Sequence, residues 1–318
     1  MARTTINMQE RPNISLALVD YPGVQKSALW GLADLFSLVP RLAPDMPGPE
    51  ITLVTAATLP DRDFTAFVFP PSLERQRGTP GDPLADWAHS QHRRGAIACS
   101  VCAGAFWLGA AGLLQGRPAT THWALEQEFQ TRFPQVDLQA EEILIDDHDV
   151  ITAGGLMAWL DLGLHLVGLW YGPGMVSKLS RHLLVDPAGR AQRHYSSFRP
   201  NRSHGNSGIL KAQRHMEQHL ATPLASADLA QVAGMSLRSF SRHFDRATGY
   251  TPAAYLQSLR IEKARNRLEQ STATVAEISW AVGYADLPAF SRAFKSVTGL
   301  TPGAYRDRFR IAPQSRKP

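Results

Sequence analysis

The sequence predicts an α/β domain, with a mostly parallel sheet covered by helices on both faces, followed by an all-α domain. Three observations predict this division. Short apolar strands alternate with helices through residues 1–185, periodicity is lost between residues 186 and 208, and only helical periods occur in residues 209–318. A chain of 318 residues is long enough for about two domains, each of roughly 100–200 residues with its own core.

The front part begins with a continuous apolar run, which is typical of a strand buried on both faces. Strands are predicted at 14–19, 51–55, 64–69, 96–101, 143–145 and 150–152, and helices at 28–39, 84–92, 103–114 and 157–169. The apolar stretch 155–176 is long enough to span a bilayer, but Asp161 and His165 lie within it. Because a charged residue in the bilayer interior is costly, we expect a buried helix there.

The segment 186–208 is rich in Gly, Ser, Pro, Asn and Arg and is predicted to be a linker. Helices are then predicted at 209–220, 226–233, 236–248, 252–270, 275–282, 288–298 and 303–309. Ser226 and Ser236 stand at predicted N-cap positions, and Gly249 and Gly299 suit C-terminal stops.

Positive charge is concentrated at the end of the chain. Residues 1–204 hold 17 Lys and Arg against 20 Asp and Glu, and residues 205–318 hold 16 against 8, so that −3 and +8 give the net charge of +5. Such asymmetry indicates a basic module that meets a polyanion, most often nucleic acid.

A repeat with an offset of 50 residues lies within this basic part. Residues 239–261 match residues 289–311 at 12 of 23 positions without a gap, and the matches include Phe240 with Phe290, Arg242 with Arg292 and Ile261 with Ile311. Each copy has the pattern of a short helix, a tight turn and a second helix. This pattern predicts two helix-turn-helix motifs, in which the second helix can enter the major groove of DNA.

Helical spacing separates the buried and open faces of the two second helices. Phe240 and Phe244 in the first copy, and Phe290 and Phe294 in the second, are spaced i,i+4 and belong to the core. The open faces then carry Arg238, Ser241 and Arg242 in the first copy, and Leu287, Pro288, Ser291, Arg292 and Lys295 in the second. Arg on such a face can bind guanine or phosphate.

Residues 209–318, with the segments SFSRHF, TGYTPAAY, VGYADLPAFSRAFK and TGLTPGAYR, resemble the DNA-binding domain of AraC/XylS transcription regulators. The resemblance implies double-stranded promoter DNA and RNA polymerase as partners, activation of transcription, a homodimer and a cytoplasmic location. By position, the contacts of the family with bases and phosphates fall on Arg238, Ser241 and Arg242, and on Leu287, Pro288, Ser291 and Arg292. Many members have polar residues where Leu287 and Pro288 stand.

The front domain contains a strand, a sharp turn and a helix of small residues at 96–114. Cys102 lies at the turn, followed by Ala103 and Gly104, and His122 comes twenty residues later. A thiol at a helix N-terminus is the arrangement of a nucleophile elbow, which lowers the thiol pKa and supplies backbone donors. The alternative is that Cys102 is a small residue that fits a tight turn and His122 is structural.

This segment and the Gly154-Gly155 turn resemble the class I glutamine amidotransferase-like superfamily, in particular the PfpI-type front domain of GlxA-like regulators. The resemblance covers about residues 12–185 and implies a flavodoxin-like fold that senses a small effector near Cys102, Ala103, Gly104 and His122. Enzymes of the superfamily present a carboxylate where this chain has Ala28, and an oxyanion donor where it has Pro71, which lacks an N–H group. We therefore expect no catalysis.

Two other functions stay open at this stage. One is a thiol-dependent hydrolase or hydratase fused to a DNA-binding domain. The other is a redox sensor that uses Cys99 and Cys102, although Cys99 falls inside a predicted buried strand. No cofactor, metal or membrane partner is predicted.

Overall fold

The computed structural model describes residues 13–74, 77–187 and 191–310. The chain forms two compact units, Met1–Gln192 and Arg193–Pro318, so the division falls within the predicted linker. Residues 1–12 of the predicted front domain, residues 188–190 of the predicted linker and the repeat position Ile311 lie outside the described residues.

The front unit contains the strands β1 Ser15–Val19, β2 Glu50–Val54, β3 Ala66–Phe69, β4 Ile97–Val101, β5 Pro118–Ala119, β6 Asp137–Leu138, β7 Leu144–Asp147 and β8 Val150–Ala153. They form a six-stranded sheet with the order β2-β1-β3-β4-β8-β7 and a separate two-stranded sheet of β5 and β6. All strand pairs of the large sheet are parallel except β7 with β8.

Helices cover both faces of this sheet, which confirms the predicted fold class. Side chains alternate between two cores along the buried strands: Ala17 and Val19 enter one, and Leu16 and Leu18 enter the other. The helices are α1 Lys26–Leu42, α2 Pro83–Arg93, α3 Ala105–Ala110, α4 Glu126–Arg132, α5 Trp159–Tyr171 and α6 Pro173–Leu183. The first core includes residues of α2 and α3, and the second includes residues of α1, α5 and α6.

The structure corrects the helix prediction at 103–114 and divides the apolar stretch that follows β8. The helix predicted at 103–114 ends at Ala110, because Gly112 adopts a φ of 74° that a right-handed helix does not allow. The apolar stretch 155–176 is divided at Gly172, with a φ of 83°, into α5 and the beginning of α6. Among the described residues, no helix combines the length and apolar character that a membrane span requires.

The second unit is entirely helical, as predicted. Its helices are α7 Ser207–Gln218, α8 Ser226–Val232, α9 Leu237–Thr248, α10 Pro252–Gln270, α11 Val275–Ala281, α12 Leu287–Thr298 and α13 Pro302–Phe309. The N-cap prediction at Ser236 is confirmed, because its side chain accepts from the Ser239 N–H. The prediction at Ser226 is wrong: Ala225 is the N-cap, and its N–H donates to Asp228 at 3.3 Å.

Two hydrophobic cores stabilise this unit, and α10 contributes to both. Tyr255 and Leu256, near the beginning of α10, pack with α9, whereas Ile261 and Leu268 pack with α12. One helix of 19 residues, about 28 Å at a rise of about 1.5 Å per residue, therefore joins the two copies of the repeat.

Candidate functional site

The two repeat copies adopt the same packing as well as the same sequence pattern. Phe240 and Phe244 in the first copy are fully buried, and so are Phe290 and Phe294 in the second. The ring of Phe244 meets Tyr255 at 5.2 Å with an interplanar angle of 90°. In the second copy, the ring centroids of Phe294 and Tyr305 lie 5.3 Å apart with an interplanar angle of 82°. Each copy is therefore a helix-turn-helix: α8 with α9, and α11 with α12.

Both second helices, α9 and α12, have 12 residues and equivalent ends. The Ser236 side chain accepts from the Ser239 N–H, and the Asp286 side chain accepts from the Ala289 N–H. At the other ends, Gly249 and Gly299 adopt left-handed φ values of 75° and 74°. These caps fix where each helix begins and ends, and so which side chains face outward.

The open face of α9 carries the predicted residues Arg238, Ser241 and Arg242, all of them exposed. The Ser241 hydroxyl donates to the Leu237 carbonyl at 3.1 Å. The open face of α12 carries Leu287, Pro288, Arg292 and Lys295 as exposed residues, with Ser291 half-buried.

The two helices differ in charge at their equivalent N-cap positions. Arg292 Nη2 lies 4.0 Å from Asp286 Oδ2, the acidic cap of α12. The equivalent cap of α9 is the neutral Ser236. The positive charge of Arg292 is therefore partly offset by a carboxylate that the first copy lacks.

The front unit contains the predicted elbow. Cys102 follows β4 directly, has a φ of 54°, and opens a short 3-10 helix, Cys102–Gly104, that leads into α3. Positive φ is uncommon for a residue other than glycine and is found at strained functional turns. A Cβ atom on Gly104 would lie 2.1 Å from the Phe69 carbonyl oxygen, so only glycine fits against the neighbouring strand. Ala103 and Gly104 are buried beside the thiol.

Burial controls the chemistry of this thiol. Cys102 is 3% exposed, and desolvation raises the pKa of its thiol to about 12 although the Ala103 N–H and the Arg77 charge oppose the change. The prediction that the turn lowers the pKa of the Cys102 thiol is therefore wrong. Cys99 is fully buried in β4, where burial also raises its thiol pKa, and both cysteines are free.

His122 is oriented by its own backbone turn. Its Nδ1 atom accepts from the Ala124 N–H at 3.0 Å, which commits that nitrogen to capping. The residue that bonds the elbow is the preceding Thr121, whose hydroxyl donates to the Cys102 carbonyl at 2.7 Å.

The segment after β1 brings a phenol towards the elbow in place of a carboxylate. Ala28 is fully buried in α1, and Asp20 forms an ion pair with Lys26 at 2.6 Å. Tyr21 is buried with its ring centroid 5.2 Å from that of Trp107, and burial, together with Cys102, raises the pKa of its hydroxyl. Sequence reasoning missed Tyr21 because nothing in its local pattern indicates this contact.

A second residue that sequence reasoning missed is Gln192. It is 2% exposed, and its side chain donates a hydrogen bond to the Thr121 carbonyl in the front unit. It lies in the segment predicted to be a linker without periodicity, where no local signal indicates a buried side chain.

Comparisons with known proteins agree with both units. A family described as "Helix-turn-helix domain" matches residues 229–308, and the DJ-1/PfpI family matches residues 73–169. The HTH-type transcriptional regulator CdhR of Pseudomonas aeruginosa is 30% identical over 202 residues, which are 63% of this chain and 60% of CdhR. The HTH-type transcriptional regulator GlxA of Rhizobium meliloti is 31% identical over 64% of this chain and 66% of GlxA.

An enzyme is also among the relatives. An isonitrile hydratase of Pseudomonas putida is 30% identical over 185 residues, which are 55% of this chain and 80% of the enzyme. The chain spans about three fifths of the length of CdhR. From the two domain matches, the chain combines a DJ-1/PfpI domain with an AraC-type helix-turn-helix domain, which is the architecture of the regulators CdhR and GlxA.

Proposed function

We propose that the chain is a sequence-specific DNA-binding transcription regulator, an activator, whose front unit senses a small metabolite. The observation that carries the proposal is the pair of capped helices α9 and α12, held by opposite ends of α10, with Arg238, Arg242, Arg292 and Lys295 exposed. Recognition helices of this kind read successive segments of the major groove about one turn, near 34 Å, apart. The +8 charge of residues 205–318 supplies salt-sensitive attraction to phosphate.

The proposal places the effector at the elbow, among Cys102, Ala103, Gly104 and His122. Support comes from the strained φ of Cys102 and from the buried helix start that follows it. A homodimer, contact with RNA polymerase and a cytoplasmic location complete the proposal, as the resemblance to AraC/XylS regulators favours.

Retardation of a promoter fragment from the genomic neighbourhood of the gene tests the DNA-binding part. The chain is expected to retard this fragment, but not a scrambled fragment, at moderate salt, and Arg242→Ala is expected to weaken the effect strongly. Absence of sequence-specific retardation contradicts the proposal.

A thermal-shift screen of small metabolites with the full chain, repeated with Cys102→Ser, tests where the effector binds.

The likeness to an isonitrile hydratase favours one alternative, a thiol enzyme. The raised pKa of Cys102 and the commitment of His122 Nδ1 to capping argue against it, because a nucleophilic thiol must ionise. Turnover of isonitriles by the chain, abolished by Cys102→Ser, would support the enzyme.

A Cys99–Cys102 bridge found by mass spectrometry after peroxide treatment would instead support a redox sensor.

A further inference from the structure

The side chain of Gln192 fills a buried polar niche in the front unit. Its Nε2 atom donates to the Thr121 carbonyl at 2.7 Å, to the Glu142 carbonyl at 2.9 Å and to the Thr120 hydroxyl at 3.2 Å. Its Oε1 atom accepts from the Trp123 N–H at 3.2 Å. Because the amide nitrogen carries two hydrogens, the three acceptors share them, and both ends of this buried side chain are hydrogen-bonded next to the elbow.

The niche is specific for a carboxamide. It presents three oxygen acceptors to the nitrogen and one N–H donor to the oxygen, which is the donor and acceptor pattern of a glutamine side chain. A glutamate of the same shape would place a carboxylate oxygen against the Thr121 and Glu142 carbonyl oxygens. Because carboxylates do not donate when ionised, that side chain would be repelled.

Gly154 provides the space for this side chain. A Cβ atom at position 154 would lie 1.8 Å from Gln192 Nε2 and 2.8 Å from the Thr121 carbonyl oxygen. Gly154 does not have a positive φ, so the close approach of Gln192, and not backbone conformation, requires glycine here.

The contacts of Gln192 continue to the elbow through one residue. The Thr121 carbonyl accepts from Gln192, and the Thr121 hydroxyl donates to the Cys102 carbonyl at 2.7 Å. All three residues are buried. A group that entered beside Cys102 and moved the elbow would therefore act on Thr121 and, through it, on Gln192.

The chain leaves the front unit directly after Gln192. The next two residues are held within the second unit: the Arg193 carbonyl accepts from Arg265 Nη2 at 3.2 Å, and His194 Nδ1 lies 2.8 Å from the Thr298 carbonyl. Thr298 is the last residue of α12. Coupling between the elbow and the DNA-binding unit needs only the covalent chain, because Gln192 and His194 are two residues apart.

We propose that Gln192 is a positioning residue that latches the exit of the front unit to the elbow, so that occupancy of the elbow is transmitted to the chain at Gln192–His194. This inference rests on the proposed effector site, to which it adds the route of regulation.

The first test uses the full-length variant Gln192→Glu. Gln91→Glu is the matched control, because Gln91 is equally buried in the front unit, bonds the Arg62 carbonyl at 2.8 Å and lies on α2. Hydrogen exchange across residues 191–195 and the alkylation rate of Cys102 by N-ethylmaleimide are measured by mass spectrometry. Loss of buried hydrogen bonds is expected to raise both rates at least about fivefold in Gln192→Glu, with no such rise in Gln91→Glu.

The variant Gly154→Ala tests the same latch without changing Gln192. It is expected to raise exchange at residues 191–195, because the added methyl group occupies the position of the amide. Exchange in β1 serves as the check that the front unit remains folded. Equal effects of Gln91→Glu and Gln192→Glu, or unchanged exchange at 191–195 in Gly154→Ala with β1 protected, would overturn the latch.

The second test works in the opposite direction and uses N-ethylmaleimide as the probe at the elbow. Modification of Cys102 in the wild-type chain is expected to accelerate exchange at residues 191–195 while β1 stays protected. Unchanged exchange at 191–195 would overturn the proposal. Neither measurement involves DNA, so failure of promoter binding would contradict the proposed function separately from the latch.

Discussion

The two helix-turn-helix copies are alike where they are buried and differ at several exposed positions. Their core rings meet at nearly the same distances and angles, and their helices α9 and α12 have the same length. At equivalent exposed positions, the first copy has Ser236 where the second has Asp286, and Asp245 where the second has Lys295. Packing preserves the scaffold of both copies, and Arg242 and Arg292 are equivalent, whereas other exposed positions of α9 and α12 carry different charges.

This difference indicates separate tasks for the two copies. Arg238 and Arg242 extend from a helix with a neutral cap and suit bidentate contacts to guanine. The second copy begins with the apolar Leu287 and Pro288, and Arg292 lies near the carboxylate of Asp286. We expect the first copy to read bases and the second to bind mainly phosphates and thymine methyl groups.

The largest expected effect concerns the shared scaffold. Phe240→Ala and Phe290→Ala each remove a fully buried ring, and each is expected to lower the free energy of unfolding by about 3–5 kcal/mol. Urea unfolding, monitored by hydrogen exchange in α9 and α12, measures the loss of unfolding free energy in both variants. A loss below about 1 kcal/mol in only one variant would show that the two cores are not equivalent.

The next effect concerns DNA affinity. Arg242→Ala is expected to weaken binding to the promoter site by about 5- to 150-fold, corresponding to about 1–3 kcal/mol, and to relax the preference for specific DNA. Arg292→Ala is expected to cost less than about fivefold and to act alike on specific and scrambled DNA. Fluorescence anisotropy with both duplexes measures these losses. The reverse order of the two variants would contradict the division of tasks.

A smaller effect tests the acidic cap of α12. Asp286→Ser retains a capping oxygen and removes the charge near Arg292, so unfolding stability should change by less than about 0.5 kcal/mol. Promoter affinity is expected to rise about two- to fivefold at low salt, because the carboxylate also repels phosphate. Ser236→Asp in the first copy is expected to have the opposite effect. Lower affinity in Asp286→Ser would be inconsistent with this electrostatic account.

The smallest effect concerns the charge difference between positions 245 and 295. Lys295→Ala is expected to reduce the slope of log affinity against log salt by about 0.9, the value for one phosphate contact. Asp245→Lys is expected to increase that slope by about the same amount. Titrations at four salt concentrations measure both slopes, and an unchanged slope in Lys295→Ala would remove that residue from the interface.

Local signals predicted most of the fold. The bounds of α10 were predicted as found, because Pro252 after the Thr251 cap marks its beginning and the apolar period continues to Leu268. The strands of the large sheet were predicted within a few residues from their apolar runs. The break at Gly172 was missed because the apolar composition continues across it, and α6 was not recognised.

The elbow was predicted from the strand, the sharp turn and the small residues that follow, and the φ of Cys102 agrees with that geometry. Its electrostatics were not predictable, because the raised pKa depends on burial by distant segments. Gln192 was missed for the same reason: its partners lie 50 to 72 residues away in the sequence. Contacts of that range have no local period.

Hydroxyl-radical footprinting of the full chain on its promoter fragment tests the central claim most directly. Two recognition helices on one rod predict two protected segments with centres about 10 base pairs apart. In the Arg242→Ala variant, protection of one segment is expected to disappear at a higher protein concentration than protection of the other segment. A single protected segment, or protection that is the same on scrambled DNA, would contradict a regulator that places two helix-turn-helix motifs on successive major-groove segments.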